Sequence, residues 1–141
     1  MQRVVLDTNI LTSGLRSRDG ASFVLLRLVA DRIIRPLVTT TLFLEYEAVL
    51  KRPDQLQASG FSAAEIDIFL TEFSALCEAV GVHFLWRPQL ADPQDEMVLE
   101  AAVNGRADAL ITHNIRDFRS VAARFAVKIL RPGAFLEGVL S

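Results

Sequence analysis

The amino-acid sequence predicts an α/β fold with a mainly parallel sheet. Short apolar, β-branched-rich runs alternate with stretches of helical periodicity along the chain. The first run, Val4-Val5-Leu6, is apolar throughout, as in a strand covered on both faces. Ser62-Ala63-Ala64-Glu65 is a capping-box pattern that opens a long helix.

Taken in order, Arg3 to Leu6 is the first strand, and Asp7-Thr8-Asn9 follows at once. Ser22 to Arg32 reads as a helix, with Phe23, Leu25, Leu26, Leu28 and Val29 apolar. Pro36 to Thr39 is a second short strand. Leu42 to Lys51 reads as a helix ended by Pro53, because the residue before a proline is biased away from helical geometry. Arg52 to Gly60 reads as a connector. The capped helix runs to about Val80, with Ile66, Phe69, Leu70, Phe73, Leu76 and Val80 on one face and Gly81 as the stop. Val82 to Trp86 reads as an edge strand. Asp92-Pro93-Gln94-Asp95 starts a helix that runs to Asn104-Gly105. Ala109 to Thr112 is a strand, Phe125 to Leu130 is the last strand, and Pro132 opens a short C-terminal helix.

The 141 residues suit one domain, 1–141, with a single core. The chain is 51% hydrophobic with a mean hydropathy of +0.31, which excludes a disordered or linker protein. No apolar run approaches the ~20 residues of a membrane span, so no membrane partner is expected. No secretory signal pattern precedes the first strand, and the single cysteine, Cys77, excludes an internal disulfide and a thiolate metal cluster. A reducing cytoplasm is the expected setting. Cys77 lies in a helical pattern and reads as a core residue. The formal net charge of −2 argues against binding nucleic acid by bulk charge, though not against local patches. Of the 15 basic residues 13 are arginine, whose planar fork suits phosphate.

Right-handed crossovers place the C-terminal ends of parallel strands on one edge. Asp7 lies there, after the first strand, and Asp117 follows the Ala109–Thr112 strand on the same edge. Asp95 starts the helix leading into that strand, and Glu45 is one turn into the helix after the second. Four carboxylates from four segments could converge. Each also has an ordinary role open to it. Asp7 could cap the segment that follows it, Asp92 and Asp95 compete at one helix start, and Asp117 could be a turn aspartate. Glu45 has apolar neighbours, whereas Glu47 reads as a solvated surface acid. Thr112 and Asn114 could donate or accept hydrogen bonds around the acids.

Clustered carboxylates repel, and without a cation some would take up protons at neutral pH. A hard divalent cation removes the conflict, and Mg²⁺ or Mn²⁺ prefers oxygen ligands. His83 and His113 are the only histidines, so there is no zinc set. The substrate class best suited to such a site is a phosphodiester.

Val4-Val5-Leu6-Asp7-Thr8-Asn9, Glu45-Tyr46-Glu47-Ala48-Val49-Leu50, Asp92-Pro93-Gln94-Asp95 and Ile111-Thr112-His113-Asn114-Ile115-Arg116-Asp117-Phe118 resemble, in order and spacing, the acid motifs of the PIN domain family. The nearest resemblance is to its bacterial toxin components, similar to VapC toxins. It implies a three-layer α/β/α fold and Mg²⁺- or Mn²⁺-dependent cleavage of RNA. It implies Asp7, Glu45, Asp95 and Asp117 as metal-site acids, with Thr8, Asn9 and Thr112 as polar support. Many members carry a further aspartate where this chain has Asn114, which can ligate through its carbonyl oxygen but brings no charge. That departure weakens a second metal more than the first. The resemblance also implies a homodimer and a small antitoxin partner.

The mechanism expected on this basis is hydrolysis by a metal-oriented water attacking in line at phosphorus, with Asp7 and Asp95 as anchoring ligands and Asp117 and Glu45 direct or through water. Arg16, Arg18, Arg116 and Arg119 are candidates for phosphate contacts, against the ordinary reading of each as a solvated arginine. Two other functions remain open. A phosphatase or phosphotransfer domain could use Asp7 as nucleophile, although no second aspartate follows two residues on. A non-catalytic interaction domain could keep the fold. Leu25, Leu28, Ile66, Phe69, Phe73 and Trp86 read mostly as core, with part of the set available to a dimer or antitoxin face.

Overall fold

The computed structural model describes residues 1–83, 90, 92–122 and 124–140. Its elements are β1 (Gln2–Leu6), α1 (Thr8–Arg16), α2 (Ala21–Ala30), β2 (Ile34–Val38), α3 (Thr40–Leu50), α4 (Pro53–Ser59) and α5 (Ala63–Leu76). Then follow β3 (Glu78–Ala79), α6 (Pro93–Asn104), β4 (Ala109–Ile111), α7 (Ile115–Ala122), β5 (Ile129–Leu130) and α8 (Pro132–Leu140). The strands form one parallel sheet in the order β3-β2-β1-β4-β5. From β1 the chain steps outward to β2 and β3, then crosses back to β4 and steps the other way to β5. Right-handed crossovers therefore put helices on both faces, giving three layers, α/β/α.

That order places a topological switch between β1 and β4, where open α/β sheets leave a crevice at the strand C-termini. The register Leu6↔Ile111 sets Asp7 beside Thr112 one residue later. The Asp7 N–H donates to the Ile111 carbonyl at 2.9 Å, and the Thr112 N–H donates to that of Leu130 at 3.0 Å. Beneath this edge, Val4, Val5, Leu6, Leu110 and Ile111 are fully buried. Each such side chain contributes about 1.5–3 kcal/mol by leaving water. The rigidity of the edge comes from that core.

Several elements differ from the sequence reading. The connector Arg52–Gly60 contains α4. Pro53 does end α3, but it also occupies the first helical position of α4, where its missing N–H costs nothing. Gly60 closes α4 at φ 80, a left-handed conformation that suits glycine. The Ser62–Glu65 capping box is present, with Ser62 Oγ accepting from the Glu65 N–H at 3.1 Å and Glu65 Oε1 from the Ser62 N–H at 3.0 Å. The helix it opens stops at Leu76, not Val80, and Gly81 is not its stop. Cys77 turns extended, and Glu78–Ala79 pairs with β2 as the edge strand. Sheet pairing and the Arg3–Glu78 ion pair (2.6 Å) outweigh the helical periodicity there. Val82 and His83 are not in a strand, and the rest of the Val82–Trp86 reading lies outside the described residues. The last strand is only Ile129–Leu130. The chain before it turns through Ala126 at φ 54.

Two further helices, like α4, have no counterpart in the sequence reading. α1 is short and carries Gly14, a poor helix former. A Cβ at Gly14 would stand 2.6 Å from Leu26 Cδ1, so glycine lets α1 and α2 approach closely. α7 has only eight residues, and its inward face is Phe118 and Val121. Among the described residues no helix is long and apolar enough to cross a membrane.

Candidate active site

Asp7 is buried, 7% exposed, at the N-cap position of α1. Its side chain makes no capping hydrogen bond that meets ordinary geometry. Instead Thr112 Oγ1 donates to Asp7 Oδ2 at 2.7 Å. Burial pushes the Asp7 carboxyl above its ordinary range, and the Thr112 hydroxyl and the Thr8 and Asn9 N–H groups hold it partly back. Thr112 is fully buried and also accepts from the Asn114 N–H at 2.9 Å, which sets the turn into α7. Thr8 is buried, 8% exposed, and Asn9 is half-buried, its Oδ1 accepting from the His113 N–H at 3.4 Å.

Asp95 sits at the third position of α6. Asp92 is the true N-cap, accepting from the Gln94 N–H at 2.8 Å, so the competition between the two resolves into separate places. The Asp95 carboxyl is pushed up to about 6 by its burial and then by the negative charges of Asp7, Asp92, Asp117 and Glu96. Asp117 is exposed in the first turn of α7 rather than in a free turn. Asp95 thus feels the charges of both Asp7 and Asp117.

Glu45 comes from α3. It is half-buried, and its Oε1 is buried with no hydrogen-bond partner among the described residues. Its neighbour Tyr46 is in the core and donates a short hydrogen bond to the Leu6 carbonyl, the last peptide before Asp7. That bond docks α3 onto the end of β1. The Tyr46 hydroxyl is held well above its ordinary range by burial, with the charges of Cys77 and Asp7 adding to it. Sequence reasoning passed over Tyr46, although it is the chain's only tyrosine and adjoins Glu45.

The sequence reading also missed the tie between His113 and α2. His113 Nε2 lies 2.9 Å from Ser22 Oγ, and Ser22 is buried at the start of α2. Burial lowers the His113 ring, Asp7 raises it and Arg131 lowers it again, so Arg131 too stands within electrostatic reach. Of the candidate arginines, Arg116 and Arg119 are exposed on α7. Arg16 reaches Gln55 of α4 at 3.4 Å. Arg18 lines a cavity of about 280 Å³ with Phe23, Phe61 and Phe69. Neither forms an ion pair with the acids among the described residues. Asn114 is exposed beside Thr112.

Among the described residues, no three carboxylate, imidazole or thiol groups stand together at metal-cage spacing, and none of Asp7, Glu45, Asp95 or Asp117 has an ion-pair partner. The donors are all hard oxygens. Mg²⁺ keeps several waters and needs only one or two direct carboxylates, so an open arrangement suits it.

A family model for the PIN domain matches residues 3–116. The chain belongs to the PIN domain family. The match contains Asp7, Glu45 and Asp95 and ends one residue before Asp117. No curated protein matches the chain. PIN domains are generally nucleases and typically use divalent metals, which puts this one among the hydrolases. At the PIN domain's sheet edge Asp7 follows β1, and its charge and that of Asp117 reach Asp95.

Proposed function

We propose that this PIN domain is an endoribonuclease that depends on Mg²⁺ or Mn²⁺, with Asp7, Glu45, Asp95 and Asp117 as its metal-site acids. The observation that supports the reading is a set of acids at and around the end of β1 with no ion-pair partner among the described residues. Asp7 is buried, Asp95 is pushed up to about 6 partly by Asp7 and Asp117, and Glu45 Oε1 is buried without a partner among the described residues. A buried carboxylate oxygen left without a donor is costly. A divalent ion held by these residues would lower the pKa of a bound water and steady charge on a phosphoryl oxygen. The protein's own part is positional. Thr112 fixes Oδ2 of Asp7, Tyr46 fixes α3 and with it Glu45, and Asn9 holds the loop that carries His113 and Asn114. Asp95 is able to hold or release a proton close to neutral pH.

The test is cleavage of a labelled single-stranded RNA by purified protein with Mg²⁺, Mn²⁺ or EDTA. The wild type cuts with either metal, and EDTA and Asp7→Asn abolish cutting. Unchanged cleavage by Asp7→Asn would remove the assignment.

The biological role we propose is that of a toxin in a toxin–antitoxin pair, acting in the cytoplasm as a homodimer neutralised by a small antitoxin. The four motifs that resemble VapC-type toxins support this reading. Of the residues considered for a partner face, Leu25, Leu28, Ile66 and Phe73 are buried within the protomer, Phe69 stacks on Phe73, and Trp86 lies outside the described residues. A dimer would therefore use other apolar positions, and Leu44 and Ile68 are exposed. Expression that arrests growth for the wild type but not for Asp7→Asn supports the role, and equal growth of the two counts against it.

A further inference from the structure

The chain's charge is unevenly spread. Residues 115–131 carry five cations (Arg116, Arg119, Arg124, Lys128 and Arg131) and one acid, Asp117. That stretch is therefore +4, and the rest of the chain is −6. A basic segment on an acidic chain marks a polyanion surface more clearly than total charge does.

The fold brings three of these cations, Arg116, Arg119 and Arg131, to the side of the sheet where β4 and β5 end. Arg116 and Arg119 are three residues apart on α7, hence on one helix face, and both are exposed. The opposite face of α7 is fastened to the core by Phe118 and Val121, so the arginines stand on a fixed platform. Arg131 directly follows β5, which pairs with β4 in register Ile111↔Leu130. Arg131 thus emerges on the same sheet edge as Thr112 and Asp7, and its charge reaches His113. It is exposed. None of the three has an ion-pair partner among the described residues. Surface arginines beside a carboxylate site, ion-paired with none of its acids among the described residues, are available to an anionic ligand there. By contrast Arg16 is engaged with Gln55 and Arg18 with an apolar cavity.

We infer that Arg116, Arg119 and Arg131 form a track for the sugar–phosphate backbone of a nucleic-acid strand, which crosses the acids and runs along α7 rather than along the loop after α1. This rests on the nuclease reading for its substrate but is tested without catalysis. Arginine forks bind phosphate oxygens while the acids, with their metal, face the scissile bond. The track reads no sequence. It fixes where the strand lies and requires a substrate several nucleotides long.

The experiment is fluorescence-anisotropy binding of a labelled single-stranded 12-nucleotide RNA over 0.05–1 M salt. Ca²⁺ replaces Mg²⁺ to limit cutting, and EDTA serves as a second condition. Three single-strand phosphate contacts contribute a slope of about −2 in log K against log salt. The triple variant Arg116→Gln/Arg119→Gln/Arg131→Gln should lose that slope and bind about 100-fold more weakly at 0.1 M salt, converging with wild type near 1 M. Arg27→Gln/Arg32→Gln/Arg52→Gln removes the same charge from exposed arginines elsewhere and should keep the wild-type slope within experimental error. Circular dichroism confirms that both variants are folded. Equal loss of slope in the two variants would show a bulk-charge effect and overturn the track, as would an unchanged slope in the first. Loss of the slope in a protein that cuts no RNA would keep the track while refuting the nuclease reading. A reduced cleavage rate without the slope change would do the reverse.

Discussion

Asp95 should make the metal-free protein less stable than a version without its charge. Its carboxyl is raised from 3.8 to about 6 by burial and by Asp7, Asp92, Asp117 and Glu96. The ionised form is therefore disfavoured in the native state relative to the neutral one, with every local effect on that charge included. At the usual conversion the rise is worth about 3 kcal/mol. Asp95 is only partly buried, and solvent screening reduces this to about 1 kcal/mol. Asp95→Asn should accordingly melt about 3 °C higher than wild type in EDTA at pH 7.5. The pH dependence follows from linkage. The native carboxyl keeps its proton up to about pH 6, whereas the unfolded chain releases it near 3.8. Folding takes up a proton between those values, so this group makes wild-type stability fall as pH rises through the window. Well below the unfolded value of 3.8 both states are protonated, so the advantage of Asp95→Asn should shrink steadily toward pH 4 and vanish below it. Mg²⁺ should reverse the order at pH 7.5, because a ligand that binds only the native state adds stability and the variant has lost a ligand. The assay is differential scanning fluorimetry at pH 4, 5, 6 and 7.5, with EDTA or with Mg²⁺. If Asp95→Asn melts at or below wild type in EDTA at pH 7.5, or gains as much from Mg²⁺, the reasoning fails.

Thr112→Val removes the hydroxyl that donates to Asp7 and accepts from Asn114. It should cost about 2 kcal/mol in urea unfolding, raise the Asp7 carboxyl further and weaken Mn²⁺ binding by calorimetry about 10-fold. Thr112→Ser should recover most of each loss. Tyr46→Phe breaks the bond to the Leu6 carbonyl and loosens α3 from β1. It should cost about 1–2 kcal/mol in the same unfolding experiment and lower RNA cleavage, since Glu45 rides on α3. Ser62→Ala breaks the capping box of α5. It should cost about 1 kcal/mol but leave cleavage unchanged once the variant is folded, because the cap lies at the exposed start of α5, and a fall in cleavage matching that of Tyr46→Phe would contradict this.

Legibility followed the strength of local signals. β1 was readable because Val4-Val5-Leu6 is apolar without a break and ends on an acid. α6 was readable because Asp92 and Pro93 are both start signals, and both hold those places. The start of α5 was readable through its capping box, but its end was not. Leu76 and Val80 continue the apolar period, while the partner that draws Glu78 into β3 is Arg3, distant in sequence. α1, α4 and α7 escaped notice because they are short, and short helices are held by tertiary packing more than by propensity. Gly14 illustrates this. It weakens α1 as an isolated helix but permits the close approach of α2 that stabilises it in the fold.

What the sequence determined alone was the alternation of elements, hence the α/β class, and the identities of the acids with their order along the chain. These depend on local periodicity, turn residues and side-chain chemistry, all of which survive in a one-dimensional reading. The tertiary structure alone decided how those acids are treated. The β1–β4 register sets Thr112 against Asp7, and Tyr46 holds the helix of Glu45 to the end of β1. The short β5 brings Arg131 to an edge already lined by α7. Burial, mutual repulsion and the lack of an ion-pair partner among the described residues arise from distances between segments more than a hundred residues apart. Local sequence preference has no term for such distances, so the electrostatic character of the site became readable only once the sheet was closed.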